Sequence, residues 1–231
     1  MISIILPAYN EERNIGRMVN YVSAFFEKVD LAYEIIVVDD GSFDNTREVI
    51  ENYKEALNII VISHKKNLGY GSALRSGFKK AKGNLVFFTD SDCQFDISEI
   101  TVFLDNIKEN DFVIGYRKNR KDSHRRIWFA DIFNLVSRIF FGVKVKDVDC
   151  AFKLFKSYVL SDLKLTSGGA LINLEILSKA QKMGYKFIEL PVTHFERTEG
   201  KQTGGSFKVV FKAIFQFFCL WLNVKNSQIK K

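Results

Sequence analysis

Two acidic pairs in this chain have residue types and spacing that could do chemistry: Asp39-Asp40 and Asp90-Ser91-Asp92. Carboxylates one residue apart offer oxygen ligands to a hard divalent cation and leave positions open for phosphate oxygens. A cation held in this way neutralises a diphosphate and helps it depart. Aspartate is also a common turn and cap residue, so the signal lies in placement rather than composition. Each pair closes a short apolar run, Ile35–Val38 or Leu85–Thr89, and in open α/β sheets ligands bind beyond the carboxyl ends of the strands. The two pairs are therefore expected to meet in one crevice.

Other chemistries fail on detail. The segment Asn67-Leu-Gly69-Tyr-Gly71 lacks the third glycine of a dinucleotide fingerprint, and no glycine loop follows the first apolar run. No G-x-S-x-G elbow is present, and no cysteine has an obvious histidine partner. His64, His124 and His194 are scattered, without zinc-ligand spacing. Cys93, Cys150 and Cys219 are odd in number and far apart, which excludes a disulfide framework and argues for a reducing compartment.

The elements that must position the acidic pairs alternate in type. Ile2–Leu6 reads as a buried strand, too short for a signal peptide's apolar region and without a basic leader. Residues 12–29 place Ile15, Met18, Val19, Val22, Phe25 and Phe26 at helical spacing. Strands are expected at Ile35–Val38, Ile59–Ile62 and Leu85–Thr89, with helices between them, the second running Gly71–Lys82. Continuous apolar strands alternating with helices predict a largely parallel sheet covered on both faces. Further on, strands are expected at Phe112–Ile114, Asp147–Phe155 and Phe187–Leu190, the last stopped by Pro191; helices are expected at Ile127–Phe141 and Ala170–Met183.

Of 231 residues, 34 are Lys or Arg and 27 Asp or Glu, and 47% are hydrophobic, which excludes a disordered chain. The net charge of +7 divides unevenly. Residues 1–111 hold 12 basic and 18 acidic residues, a net of −6; residues 112–231 hold 22 and 9, a net of +13. The first half suits a bound cation, the second an anionic partner. Nucleic acid is the remote option for that partner, since no basic, aromatic-interleaved module is present.

At this point the residues carry a resemblance. Ile5-Leu-Pro-Ala-Tyr-Asn-Glu-Glu12, Glu34-Ile-Ile-Val-Val-Asp-Asp-Gly-Ser42, Asn67-x-Gly-x-Gly-x-Ala-Leu-Arg-x-Gly77 and Asp90-Ser-Asp-x-Gln94 resemble family 2 glycosyltransferases of GT-A fold. The branch is that of dolichol-phosphate mannose synthases and polyprenyl-phosphate sugar transferases. The resemblance implies a nucleotide-diphosphate sugar as donor, with Pro7, Tyr9, Glu11, Asp39 and Asp90 binding the nucleotide. It implies Mg²⁺ or Mn²⁺ on Asp90, Asp92 and Gln94, and Arg117, Arg126 and Arg197 as acceptor-phosphate candidates. Asp92, Arg117 and Arg197 would carry catalysis. Two departures stand out: Ala151 replaces a family glycine in Asp147-Val-Asp-Cys-Ala-Phe-Lys153, and Ala130 and Asp131 stand where a phosphate-binding serine is expected.

A polyprenyl phosphate is already an anionic nucleophile, so in-line attack needs no strong base. A hydroxyl acceptor would need one, with Glu175 or Asp149 as candidates. The division expected is a catalytic domain at 1–206, with 1–111 on the donor side and 112–206 on the acceptor side, followed by an amphipathic helix and basic tail at 207–231. Phe207–Val224 is interrupted by Lys208, Lys212 and Gln216, and Ile127–Phe141 follows six Lys/Arg in residues 117–126. Both are too short or too interrupted to span a bilayer and suit its interface plane. The expectation is a cytoplasmic protein held peripherally on an anionic inner membrane face, with a homo-oligomer as a further option.

Overall fold

The structure is a computed structural model and describes residues 1–54, 57, 59–120, 124–200 and 207–226, excepting the side chains of 207–215 and 226. Lys121 and the side chains of Lys208 and Lys212, part of the expected basic surfaces, lie outside that description.

The apolar run at the N-terminus forms β1 (Ile2–Ala8), every residue of which is buried. It lies between two parallel neighbours, β2 (Tyr33–Asp39) and β4 (Leu85–Thr89), and β3 (Ile60–Ser63) extends the sheet beyond β2. The helices α1 (Ile15–Phe26), α2 (Thr46–Lys54) and α3 (Tyr70–Lys80) make the crossovers. A Cβ on Gly77 would meet the Ile5 side chain at 2.3 Å, so α3 lies on β1 at a distance only glycine permits.

The second half adds β5 (Phe112–Lys118), β6 (Phe152–Lys156) and β7 (Phe187–Thr193). The order is β3-β2-β1-β4-β6-β5-β7. β6 runs antiparallel to both β4 and β5, while β7 is parallel to β5. The sheet is thus α/β and mostly parallel, as expected. The helices of this half are α4 (Ile100–Asn106), α5 (His124–Phe141), α6 (Ser157–Asp162), α7 (Ile172–Lys182) and α8 (Phe207–Asn226).

Two local expectations are corrected, and a helical segment is added. The expected strand Asp147–Phe155 begins only at Phe152. The buried Lys153 ammonium donates to the carbonyls of Val148 (3.1 Å) and Cys150 and to Asn173 Oδ1 (3.1 Å); gathering two nearby carbonyls on one cation curls the chain. β7 runs through Pro191 to Thr193 because it is an edge strand, where a missing N–H need not break the ladder. Residues 97–106, unassigned from sequence, form a 3-10 turn and α4, the turn capped by Asp96 accepting from Ser98 N at 2.9 Å.

Candidate functional site

The carboxyl ends of β1, β2 and β4 open on one cavity of about 820 Å³, lined by Pro7, Tyr9, Glu11, Asp40, Asp90 and Asp92 among others. Local chain geometry explains the acidic floor. Ser91 turns inward and donates to the Pro7 carbonyl at 2.8 Å, tying the end of β4 to that of β1. The chain bends just after β4, and Asp90 and Asp92, on either side of that tie, both line the cavity. Burial and then the neighbouring Asp90 charge push Asp92 up to about 7, and burial also raises Asp90. Such a pair is poised to take a cation. The Tyr70 hydroxyl is buried beside Asp90 without a hydrogen bond of normal geometry.

Two carboxylates and an orphaned hydroxyl in one oxygen-rich pocket fit a hard divalent ion whose other ligands come from phosphate and water. No group of three or more His, Cys, Asp or Glu among the described residues is arranged to hold a metal by itself. Gln94 lines the cavity, but its side-chain N–H is committed to the Phe195 carbonyl at 2.9 Å.

Three arginines line the same cavity: Arg117, Arg126 and Arg197. Arg117 is fixed by two hydrogen bonds, Nε to Asp147 Oδ2 at 2.7 Å and Nη2 to Oδ1 at 2.8 Å. Burial opposes charge on both partners, yet the pair holds Asp147 below the usual carboxylate range and Arg117 above its own. Arg197 donates to Glu11 (2.5 Å), to Asp92 (3.4 Å) and to the Glu199 carbonyl (2.7 Å). The segment carrying His194 and Arg197 thereby closes onto the turn that follows β1.

Of the residues anticipated for the site, Asp39 and Glu175 do not line the cavity; Asp39 is buried, and its Oδ1 accepts the Ser42 N–H at 2.9 Å. Its neighbour Asp40 reaches the cavity instead. His194 lines the cavity while packed edge-on against Phe95 at 5.4 Å. Glu175 is neither an exposed carboxylate nor a base at the cavity. It is fully buried, accepting from the N–H groups of Thr166 (2.9 Å) and Ser167 (2.7 Å) and from Lys179 (2.6 Å). Asp149 does line the cavity, and burial pushes it up to about 6.

Several wall residues escaped sequence reasoning. Gly168, Gly169 and Ala170 form one wall, and Gln216 of α8 lies against Gly169 there, although the sequence showed Gln216 only as an interruption of an apolar run. Their contact with the Gly69–Gly71 turn is close: a Cβ on Gly69 would meet the Gly168 carbonyl at 2.4 Å, and Gly69 has φ +99°. The glycines were legible, but the 167–169 backbone packed against them was not. Tyr70 had no sequence signal at all.

The model of glycosyl transferase family 2 matches residues 3–163, more than half of the chain. Dodecaprenyl-phosphate galacturonate synthase of Rhizobium johnstonii is 33% identical over 172 residues, 71% of this chain and 50% of that protein. A dolichyl-phosphate beta-glucosyltransferase of Trichomonas vaginalis is 32% identical over 210 residues, 83% of this chain and 64% of that protein. The chain thus spans from half to just under two thirds of the length of these curated relatives. Among solved structures, glucosyl-3-phosphoglycerate synthase of Mycobacterium tuberculosis with Mg²⁺ and UDP superposes with a TM-score of 0.71 at 19% identity, covering 97% of this chain and 79% of that one. S. aureus TarS with UDP-GlcNAc gives 0.63 at 21% identity, covering 96% and 66%. These likenesses establish the GT-A fold.

Proposed function

The chain belongs to glycosyl transferase family 2, and from that membership we propose that it moves a sugar, with inversion, from a nucleotide-diphosphate sugar to a polyprenyl phosphate at the cytoplasmic face of a membrane. One observation carries the reading: a single cavity is lined by the carboxylates of Asp90 and Asp92 and by Arg117, Arg126 and Arg197. A donor diphosphate and an acceptor phosphate are both anionic, and such a site can hold them together. The names of the relatives, a dodecaprenyl-phosphate and a dolichyl-phosphate sugar transferase, support the acceptor class.

Pro7, Tyr9 and Glu11 line the nucleotide end of the cavity in this reading. Asp90 and Asp92 would hold Mg²⁺ or Mn²⁺, the ions crystallised with UDP in the solved neighbours; such an ion neutralises the departing diphosphate. Arg117, already oriented by Asp147, offers a preorganised positive charge that needs no rearrangement as charge develops. Arg197 shares Glu11 and Asp92, so it sits within reach of the phosphates. Catalysis is then positioning plus electrostatics, since the acceptor phosphate is its own nucleophile.

The acceptor's route is the second support. α5 supplies Arg126 to the cavity wall and exposes Trp128, Phe129, Leu135 and Ile139 along its length. No helix among the described residues is long and apolar enough to cross a membrane. An exposed aromatic face beside basic residues suits the interface plane of an anionic leaflet, and places a lipid-borne phosphate near Arg126. A second reading keeps the donor and uses a hydroxyl acceptor. Asp149 favours it, as a cavity carboxylate raised to about 6 is suited to take a proton near neutral pH.

Transfer to undecaprenyl or dolichyl phosphate, from a panel of labelled UDP-, GDP- and dTDP-sugars with Mg²⁺, Mn²⁺ or chelator, tests the proposal. Metal-dependent labelling of lipid by one donor is the expected result. Donor hydrolysis or binding without lipid labelling would remove the acceptor assignment and leave the donor.

A further inference from the structure

The end of β2 carries a chain of side chains that the transfer reaction, as described, does not use. Asp40 Oδ1 accepts from His64 Nδ1 at 2.6 Å, and His64 Nε2 lies 2.9 Å from Ser76 Oγ on α3. The same carboxylate accepts the Leu68 N–H (3.0 Å) on Oδ1 and the Gly69 N–H (2.8 Å) on Oδ2. Asp, His and Ser in this order resemble a hydrolase relay, yet the carboxylate serves the backbone of residues 68–69. His64 is nearly enclosed, its side chain only 10% exposed, and Asp40's only 4%.

Two further contacts clasp the same segment. The His64 N–H donates to the Asp39 carbonyl at 2.9 Å. A Cβ on Gly41, which has φ +71°, would meet the Lys66 carbonyl carbon at 2.4 Å, so the turn after β2 lies directly on the 66–67 backbone. Asn67, Leu68 and Gly69 all line the cavity. The hydrogen-bond chain therefore runs from a helix, through a buried imidazole, to a stretch of cavity wall.

We propose that His64 is a positioning residue for the nucleoside-diphosphate half of the donor: through Asp40 it holds Asn67–Gly69 in the conformation against which the nucleotide docks. This rests on the donor reading above. An ionised Asp40 requires the proton on Nδ1, so the imidazole donates inward and meets the Ser76 hydroxyl with Nε2. Nδ1 is the essential atom; Nε2 and Ser76 only steady the ring.

That asymmetry gives the test, because an asparagine amide can stand in for Nδ1 and a glutamine amide for Nε2. Dissociation constants for UDP, GDP and dTDP in Mg²⁺ are measured on wild type and on His64→Ala, His64→Gln, His64→Asn and Ser76→Ala, each alongside its melting temperature. The nucleotide that wild type binds is expected to bind about tenfold more weakly to His64→Ala and His64→Gln, the order of one lost hydrogen bond to a charged group. His64→Asn and Ser76→Ala should stay within about threefold. In transfer assays the KM for donor rises in the first two variants while kcat changes little. If affinity instead follows melting temperature across the four variants, or if Asn and Gln are equivalent, His64 is merely structural and the proposal falls. Should His64→Ala fail to fold, the Asn–Gln comparison decides alone. A wild type that binds none of the nucleotides overturns the donor reading and this inference with it; normal wild-type binding left intact in His64→Ala and His64→Gln overturns only this inference.

Discussion

Asp92 faces the cavity near the carboxylates of Asp90 and Glu11, with the Arg197 guanidinium at 3.4 Å. Its charge is costly where it stands, since burial and Asp90 together raise it to about 7. Asp92→Asn removes that charge with almost no change of shape. The variant is therefore expected to fold with an undiminished melting temperature while losing at least tenfold in Mg²⁺-dependent nucleoside-diphosphate affinity. Titration calorimetry with and without chelator reads this directly, and an unchanged affinity would remove Asp92 from the cation site. Asp147 shows the opposite logic. Its charge is neutralised in place by Arg117, and its value to the site is the fixed orientation of that cation.

At the scale of elements, α7 explains why the acidic residue on its first turn is structural. Glu175 sits fully inside, and its carboxylate collects the N–H groups of Thr166 and Ser167, just before the Gly168–Ala170 wall. Burial by itself would raise the Glu175 pKa. The hydrogen bonds from Lys179, Ser167 and Thr166 outweigh it, and the carboxyl lies below its ordinary value. The sign of the linkage follows: a lowered folded-state value contributes stability that is present above the unfolded pKa of about 4.3 and is lost as pH falls through the folded value. Glu175→Gln is expected to cost about 3 kcal/mol at pH 7, in the range for breaking a buried ion pair, and clearly less near pH 3. Denaturant unfolding at the two pH values measures the difference, and an equal cost at both would contradict the assignment. The α8 helix shows how an element takes its role from its neighbours. Phe217 of α8 packs on Phe140 and Phe141 of α5, and Phe217, Leu220 and Val224 are buried, while Phe218 and Leu222 remain about half exposed.

Across the whole molecule, the acidic half supplies the cavity floor and the basic half its arginines, so the charge division of the sequence becomes two sides of one site. The outer face of the basic half is apolar: Trp128 and Phe129 of α5 are 60% and 61% exposed and stack edge to face at 5.3 Å. Aromatic pairs so exposed gain little for the fold, and each gains on entering a bilayer interface. Trp128→Glu combined with Phe129→Glu is expected to lower binding to anionic vesicles by more than tenfold and to leave the melting temperature unchanged. Co-sedimentation with phosphatidylglycerol vesicles measures it; undiminished binding would take α5 off the membrane.

The sequence by itself determined what depends on short-range pattern. Continuous apolar runs dictated buried parallel strands, and the acidic residues closing two of them brought carboxylates to one crevice, because strand ends in one sheet share an edge. It also displayed the family motifs, since each is a short run of neighbouring residues. Only the tertiary structure decided which polar groups face the cavity and which face each other. Glu175 and Asp149 are both acidic residues of the second half, yet one is consumed by four donor groups of its own chain and the other looks into the site. Asp39 and Asp40 are adjacent, yet only Asp40 gathers His64, Leu68 and Gly69. Those pairings join residues 24 to 29 positions apart, and the separation between Arg117 and Asp147 is 30. A carboxylate takes whichever donors the packed chain brings within about 3 Å, and that proximity is set by the closure of the sheet rather than by any local run of residues.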